Sequence, residues 1–236
     1  MMPTETNAPG TSEASATSGA SATSEAAAFA HPAIAAALKD LRRQLEANTR
    51  VILGITGPPG VGKSTFAACL ARHFGPETSV VVPMDGFHLG EAVIAGTELK
   101  QRKGAIDTFD VGGYFSLLQR LKTRDEDIVY APLYTREIEE PIAASIAVPA
   151  RVPLVITEGN YLLNPDPAWQ KVRAQLDAVW YLELPADLRL DRLIRRHVEF
   201  GKEPAAAEAW AKGSDETNAR LIQADGHRAD RILPWS

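Results

Sequence analysis

Apolar and polar positions along the chain switch repeatedly between a helical period and short unbroken apolar runs. Ile34, Leu38, Leu41 and Leu45 recur at helical spacing after Pro32, with Lys39, Asp40, Arg42, Arg43 and Glu46 between them. That pattern predicts an amphipathic helix ending near Asn48. Val51-Ile52-Leu53-Gly54-Ile55 is then continuous and apolar, as in a strand buried on both faces. Residues 66–71 read as helix again, and Gly75-Pro76 breaks it. Val80-Val81-Val82, residues 153–159 and residues 178–184 are further buried strands, the last stopped by Pro185. Asp110 stands where it caps a helix carrying Tyr114, Leu117, Leu118 and Leu121. Residues 128–134 and 146–148 read as extended segments bounded by prolines. Residues 186–200 form a strong helical pattern, 203–224 a second with a break near Gly213, and 230–233 a last short strand. Residues 90–109 show little periodicity. Strands alternating with helices predict an α/β fold, a three-layer αβα arrangement with a mostly parallel sheet. Ligands of such sheets sit beyond the carboxyl ends of the strands.

Composition narrows the class. Residues 1–28 are mostly Ala, Ser, Thr, Gly and Glu with no large apolar residue except the two methionines. They bury too little surface to offset the entropy of ordering, so a disordered tail is expected there. Residues 29–236 remain as one domain, an ordinary size for this fold. The formal charge of −5 argues against a nucleic-acid partner, whose footprint is a basic stripe. It leaves a small anionic substrate open, because a local cluster of Arg and Lys suffices for that. The single cysteine, Cys69, excludes an intrachain disulfide framework and fits a reducing compartment; the five histidines show no zinc spacing. No apolar run approaches membrane-spanning length, and residues 1–28 lack the features of a secretory or mitochondrial leader. A cytoplasmic protein with no membrane partner is expected, and a homodimer is left open.

The chemistry is concentrated after the first strand. Gly57-Pro58-Pro59-Gly60-Val61-Gly62-Lys63-Ser64-Thr65 has the spacing of a phosphate-binding loop between a strand and a helix. Unpaired N–H groups at a helix start and the positive end of its dipole attract phosphate. Glycines let the backbone close around it. Lys63 is expected on the β- and γ-phosphates and Ser64 on Mg²⁺, so the loop predicts a P-loop NTPase-type fold that binds a nucleoside triphosphate. Asp85 and Glu158 each close an apolar run on the side of that loop. Asp85 reads as general base and magnesium contact, and Glu158 as the magnesium-side acid, with the two roles exchangeable. At about 100° per residue, Arg192, Arg195 and Arg196 lie roughly opposite Leu190, Leu193 and Ile194. They suit a lid at about 186–202 that closes on the phosphates; a solvated helix face is the simpler alternative. Lys100, Arg102 and Lys103 either contact substrate or solvate a loop. His88, Tyr134 and Arg136 stand near strand ends, where substrate contact and a structural role are both open.

Taken as a string, these motifs resemble the kinase family of uridine kinase, phosphoribulokinase and type I bacterial pantothenate kinase, over about residues 50–235. Met84-Asp85-Gly86-Phe87-His88 resembles the strand-end motif whose aspartate is the family's base. Arg102-Lys103-Gly104-Ala105-Ile106-Asp107-Thr108-Phe109-Asp110 resembles a segment bordering the acceptor site, with Ile106 where the family usually has proline. Tyr130-Ala131-Pro132-Leu133-Tyr134 resembles a substrate-side element, and Ile156-Thr157-Glu158-Gly159-Asn160-Tyr161-Leu162-Leu163 the Walker B-like segment. The resemblance implies ATP- and Mg²⁺-dependent phosphorylation of a hydroxyl on a small metabolite such as a nucleoside, pantothenate or a sugar (fructose). The rival readings are an ATP-hydrolysing switch acting on a protein partner and a silent nucleotide-binding protein. The Asn-Lys-x-Asp motif of GTPases and the Leu-Ser-Gly-Gly segment of ABC-type ATPases are absent.

Overall fold

The computed structural model describes residues 29–48 and 50–235, so the tail expected at 1–28 lies outside the described residues. The strands are β1 (Val51–Thr56), β2 (Ser79–Pro83), β3 (Ile128–Thr135), β4 (Glu140–Pro149), β5 (Leu154–Glu158), β6 (Ala178–Glu183) and β7 (Arg231–Pro234). The α-helices are α1 (Pro32–Ala47), α2 (Lys63–Phe74), α3 (Glu91–Ile94), α4 (Val111–Thr123), α5 (Pro167–Arg173), α6 (Ala186–Glu199), α7 (Pro204–Trp210) and α8 (Glu216–Asp225). Five strands pair in the order β2-β5-β1-β6-β7, every pairing parallel. The order reverses around β1: the chain leaves it toward β2 on one side and later returns to β6 on the other. Such a reversal opens a crevice at the carboxyl ends of the strands.

Period-two alternation along β1 divides the core. Val51, Leu53 and Ile55 face α1 and α2, packing with Ile34, Leu38, Leu41, Phe66 and Leu70. Ile52 faces the opposite layer with Tyr114, Leu117, Leu118 and Leu121 of α4 and Trp169 and Val172 of α5. Both faces of the sheet are therefore buried, which is why its strands read as unbroken apolar runs rather than as alternating ones. Each fully buried Ile or Leu contributes about 1.5–3 kcal/mol, so β1, buried along its whole length, is the strand the layers close on.

The aperiodic stretch 90–109 contains α3 and two 3₁₀ turns, Glu98–Arg102 and Ile106–Thr108. Polar side chains hold it: the Thr97 hydroxyl accepts from Leu99 N at 3.2 Å, and Thr108 Oγ1 accepts from Gly104 N at 3.0 Å and donates to Ala105 O at 2.7 Å. The two extended segments expected around 128–148 pair with each other as an antiparallel hairpin, β3–β4, apart from the main sheet. The 203–224 region is α7, a π-helical turn at Ala211–Asp215 and α8. Among the described residues, no helix is long and apolar enough to cross a membrane.

The hairpin is seated on the 3₁₀ turn Met84–Phe87 that follows β2. A Cβ at Gly86 would collide with the Pro132 carbonyl of β3, its carbon only 2.8 Å away. Pro132 lies within the register shift between Ala131 and Leu133. Gly86→Ala should therefore push the hairpin off the turn and cost about 1–3 kcal/mol, read as a lower urea midpoint. The control is Gly213→Ala, where nothing lies within 4 Å of the added carbon; it should leave the midpoint unchanged or raise it. Equal midpoints for the two variants would show that the hairpin yields freely.

Candidate active site

The loop after β1 is shaped by three glycines with positive φ, Gly57 (151°), Gly60 (83°) and Gly62 (95°). None has room for a side chain either: a Cβ on Gly57 would stand 2.8 Å from Leu182 O, one on Gly60 2.7 Å from Arg189 O, and one on Gly62 2.9 Å from Trp235 Nε1. Gly62 is the N-cap of α2 and makes no side-chain cap bond, which leaves the first N–H groups of the helix for a ligand. Val61 is fully buried in the core, so its side chain anchors the loop, and it does not line the cavity described below.

Lys63 folds back over its own loop, donating to Gly57 O at 2.9 Å and Pro58 O at 3.3 Å. Burial lowers its pKa to about 8, opposed by Glu158 and Asp85 nearby. Ser64 Oγ donates to Glu158 Oε1 at 2.9 Å. Glu158 is 4% exposed; burial first, and the neighbouring Asp85 second, raise its pKa well above the ordinary carboxylate range. Pro83 and Glu158 are register partners, so Asp85, two residues past Pro83, stands beside Glu158. Beneath the acids, Thr157 Oγ1 donates to Val82 O at 2.7 Å. With its proton so used, it accepts from Tyr114 OH at 2.6 Å. That buried chain ties β2, β5 and α4 together under the site.

Opposite the loop, His88 Nδ1 donates to Asp85 O at 2.7 Å, which leaves Nε2 as an acceptor. The ring packs at a tilt against Phe109 (4.1 Å) and Tyr134 (4.6 Å), and burial lowers its pKa, favouring neutral imidazole. Lys103 lies over the Tyr134 ring at 5.6 Å, and Arg136 over the Phe200 ring at 5.6 Å.

A cavity of about 860 Å³ joins these pieces. It takes in Pro59, Gly60, Gly62, Lys63, Ser64 and Thr65 of the loop with Asp85, His88, Lys103, Tyr134, Arg136, Glu158, Arg192 and Arg196. Gly57 and Pro58 contribute through the carbonyls that hold Lys63. A smaller cavity of about 490 Å³ lies at the opposite ends of the strands, beside α1, and contains none of the expected site residues.

Two expected residues stand elsewhere. Arg102 is exposed and donates to Asp107 at 2.6 Å across its own turn. Arg195 is exposed and paired with Asp191 one turn back on α6. The three lid arginines thus do not share a face: Arg195 and Arg196 are about 100° apart around the helix, and only Arg192 and Arg196 line the cavity. Arg189 escaped the sequence reading, yet it is 1% exposed. It donates to Pro59 O at 3.1 Å and pairs with Glu216 of α8, fastening α6 to the phosphate loop. Its position four residues before Leu193, on the buried stripe of the helix, was the available signal. Trp235, beside Gly62, and Phe200, under Arg136, were also missed. Neither sits in a local motif that marks it.

Ser64 and Glu158 supply hard oxygens at the helix start, with Asp85 adjacent. Among the described residues, no group of three or more His, Cys, Asp or Glu side chains could hold a metal by itself. This donor set fits magnesium, which takes one or two carboxylates and completes its shell with phosphate oxygens and water.

No family model matches the chain. A protein of Schizosaccharomyces pombe provisionally named a uridine kinase is 35% identical over 199 residues, covering 80% of this chain and 85% of that one. A pantothenate kinase of Mesorhizobium japonicum is 34% identical over 121 residues, covering 50% of this chain and 38% of that one. Among solved structures, a provisionally named fructose transport system kinase from a Silicibacter species is 38% identical with a TM-score of 0.70. That match covers 79% of this chain and 90% of the other.

Removing Arg189 tests the fastening of α6. Arg189→Met strands Glu216, which is 27% exposed and otherwise has only the exposed Arg220 at 4.0 Å, and takes a donor from Pro59 O. The expected loss is about 3 kcal/mol, the lower end for a broken buried pair, measured by denaturant unfolding. Adding Glu216→Leu should recover part of it. A double variant no more stable than Arg189→Met would show that the ion pair is not what α6 depends on.

Proposed function

The chain belongs to the P-loop kinases of the uridine kinase and pantothenate kinase group, and from that premise we propose that it phosphorylates a hydroxyl of a small metabolite with ATP and magnesium. One observation carries this reading. Lys63, Ser64, Glu158 and Asp85 converge in one cavity that His88, Tyr134, Lys103 and Arg136 also line. A phosphate-binding half and a small-molecule half thus meet at a carboxylate.

In this reading the loop amides and Lys63 hold the β- and γ-phosphates. Ser64 and Glu158 would hold magnesium, which when bound neutralises phosphate charge. Asp85 accepts the proton of the attacking hydroxyl, which is positioned by the His88–Tyr134 side. Arg192 and Arg196 reach the cavity from α6 and stabilise charge on the transferring group. Because little covalent work falls to the protein in phosphoryl transfer, positioning and charge neutralisation supply most of the rate. The relatives' names include a nucleoside kinase, a pantothenate kinase and a sugar-system kinase, and the acceptor is proposed within that range of small hydroxyl compounds.

Asp85→Asn should cut kcat by about 10²–10⁴-fold, the usual worth of a positioned base, while equilibrium binding of Mg·ATP stays within about twofold. Full turnover in this variant would remove Asp85 as the base. ATP hydrolysis that no added metabolite accelerates, with no phosphorylated product, would replace the kinase reading with that of a hydrolysing switch.

Binding should also move protons. Lys63 is partly neutral at pH 8.5 in the free protein, since burial holds its pKa near 8, and phosphate favours the charged amine. Binding of Mg·ATP at pH 8.5 should therefore take up protons, detected calorimetrically in buffers of different ionisation enthalpy, and Lys63→Met should abolish the uptake. Toward pH 6 the sign should reverse: Lys63 is already charged, and Glu158, held partly protonated, loses its proton to the cation. Proton uptake at pH 8.5 that persists in Lys63→Met would contradict the assignment.

A further inference from the structure

Trp235 follows β7 directly, and phosphoryl transfer as described above leaves it without a task. Its ring stands edge-on to Phe66 of α2, with centroids 4.9 Å apart, and lies tilted against Phe29 at 6.3 Å. Its backbone N–H donates to Glu183 O at 2.9 Å, which carries the β6–β7 ladder one residue further. The residue is only 7% exposed, yet it lines the cavity that holds the phosphate loop. Trp169 and Trp180 are buried as deeply and do not line it.

Packing fixes which edge of the ring meets the loop. Nε1 stands 2.9 Å, and Cδ1 3.3 Å, from the point where a Cβ on Gly62 would be. The pyrrole edge of the indole therefore faces Gly62, the N-cap of α2. Indole nitrogen can only donate, and Trp235 Nε1 has no hydrogen-bond partner among the described residues. The single fully buried side-chain polar atom without a partner among them is Arg189 Nε, so Trp235 Nε1 is not sealed in the core. It opens toward the cavity, where a ligand that displaced water from it would have to supply an acceptor.

The direction of the loop says which acceptor. Lys63 folds back to the carbonyls of Gly57 and Pro58, so the amine that meets the β- and γ-phosphates lies toward the start of the loop. Gly62 and the first N–H groups of α2 lie at its end. Thr65 and Cys69, about one turn apart on α2, line the cavity as well, so the space continues past the helix start. A nucleotide running from Lys63 into that space carries its α-phosphate over Gly62. Arg192 reaches the same place, its Nη1 3.9 Å from the Gly62 Cβ position. An indole N–H and a guanidinium thus converge on the residue that opens the helix, a donor set suited to phosphate oxygen.

We propose that Trp235 is a nucleotide-binding residue: its Nε1–H donates to an α-phosphate oxygen of the phosphoryl donor, beside Arg192 and the first N–H groups of α2. This deepens the kinase reading and rests on its nucleotide half. Because the ring is wedged against Phe29 and Phe66, the N–H is aimed before the nucleotide arrives, and little ordering accompanies the bond. The contact also gives β7 a part in the chemistry. It is the edge strand on the far side of β1 from the two that carry the acids, and it delivers a donor to the loop from that side.

Nuclear magnetic resonance of the full-length protein with ¹⁵N-labelled indoles reads the bond directly. The chain has four tryptophans, so the indole N–H signal lost in Trp235→Phe identifies Trp235. Trp169→Phe, Trp180→Phe and Trp210→Phe identify it by elimination, so the readout survives a Trp235→Phe chain that does not fold. The signal should move downfield with Mg·ATP and with Mg·ADP, which share the α-phosphate, and stay in place with magnesium pyrophosphate, which has none. Calorimetry gives the second reading. Trp235→Phe keeps a ring against Phe29 and Phe66 and should raise Kd for Mg·ATP about tenfold, the worth of a hydrogen bond to a charged group. Kd for magnesium pyrophosphate should stay within about twofold. An indole signal indifferent to Mg·ATP, or a Trp235→Phe chain that binds Mg·ATP as tightly as the unaltered protein, would overturn the contact and leave the kinase reading standing. Equal losses for ATP and pyrophosphate would also overturn it, because the ring would then act by shaping the loop. Failure of the unaltered protein to bind Mg·ATP would remove the nucleotide reading itself.

Discussion

Ile55, Glu158 and Pro83 lie side by side across β1, β5 and β2. Everything chemical in the molecule hangs on that register. The phosphate loop begins two residues after Ile55, and Asp85 follows two residues after Pro83, so the row sets loop and both acids at one edge of the sheet. In a strand the side chains alternate faces, and a slip of one residue would turn Glu158 away from Ser64. The register is held from below as well as by the ladder, through the Tyr114–Thr157–Val82 chain of hydrogen bonds. A polar triad buried in an apolar core is tolerated because each of its groups is satisfied, and it costs nothing in specificity. It also brings α4 against the two strands that carry the acids.

The edge so built is electrostatically uncomfortable without ligands. Burial lowers the Lys63 pKa and raises that of Glu158, so each group is held toward its neutral form where chemistry needs it charged. The strain is complementary to what the loop would receive. A triphosphate favours the charged lysine and a divalent cation favours the ionised glutamate, and binding both converts two unfavourable burials into paired ones. The unpartnered Arg192 and Arg196 follow the same logic on the lid side. Stability withheld from the free site becomes affinity and orientation in the filled one.

Much of this was legible in the chain because it is local. The strand–loop–helix unit is contiguous, and its glycines, Lys63 and Ser64 occupy fixed offsets. Asp85 and Glu158 were visible as acids at the ends of apolar runs, and a parallel sheet necessarily aligns such ends. Pairing partners were harder. Whether Arg102 or Lys103 enters the cavity depends on Asp107 lying within reach of one and not the other, a fact of three-dimensional turn geometry. The hairpin was readable as two extended pieces but not as a pair, since Arg136 to Glu139 between them carry no Asn-Gly or Asp-Gly turn signal. The arginine face failed for a different reason. Leu190, Leu193 and Ile194 were taken to define the buried side, and Leu193 is buried, but the other fully buried residue of α6 is Arg189 while Leu190 and Ile194 are only half-buried, so the stripe is rotated and Arg195 falls to solvent. A guanidinium in the core defeats a reading that equates charge with surface.

That buried guanidinium also limits what the expected lid at 186–202 can do. Arg189 joins Pro59 O in the loop to Glu216 in α8, and its own backbone carbonyl presses on Gly60. Swinging α6 as one body would strip a charged side chain of both partners inside the protein, at a cost of several kcal/mol. The first two turns of α6 are therefore fastened to the phosphate loop and place Arg192 beside Gly62. Beyond Leu193 the restraints are different in kind: His197 is hydrogen-bonded to Asp215 at 2.7 Å in the π-helical turn, and Lys202 lies over Trp210 at 4.7 Å. Those contacts tie the end of α6 to α7 and the turn after it rather than to the sheet. On this geometry, a closure of α6 over the loop would have to come from the Arg196 end together with α7, beyond the buried stripe.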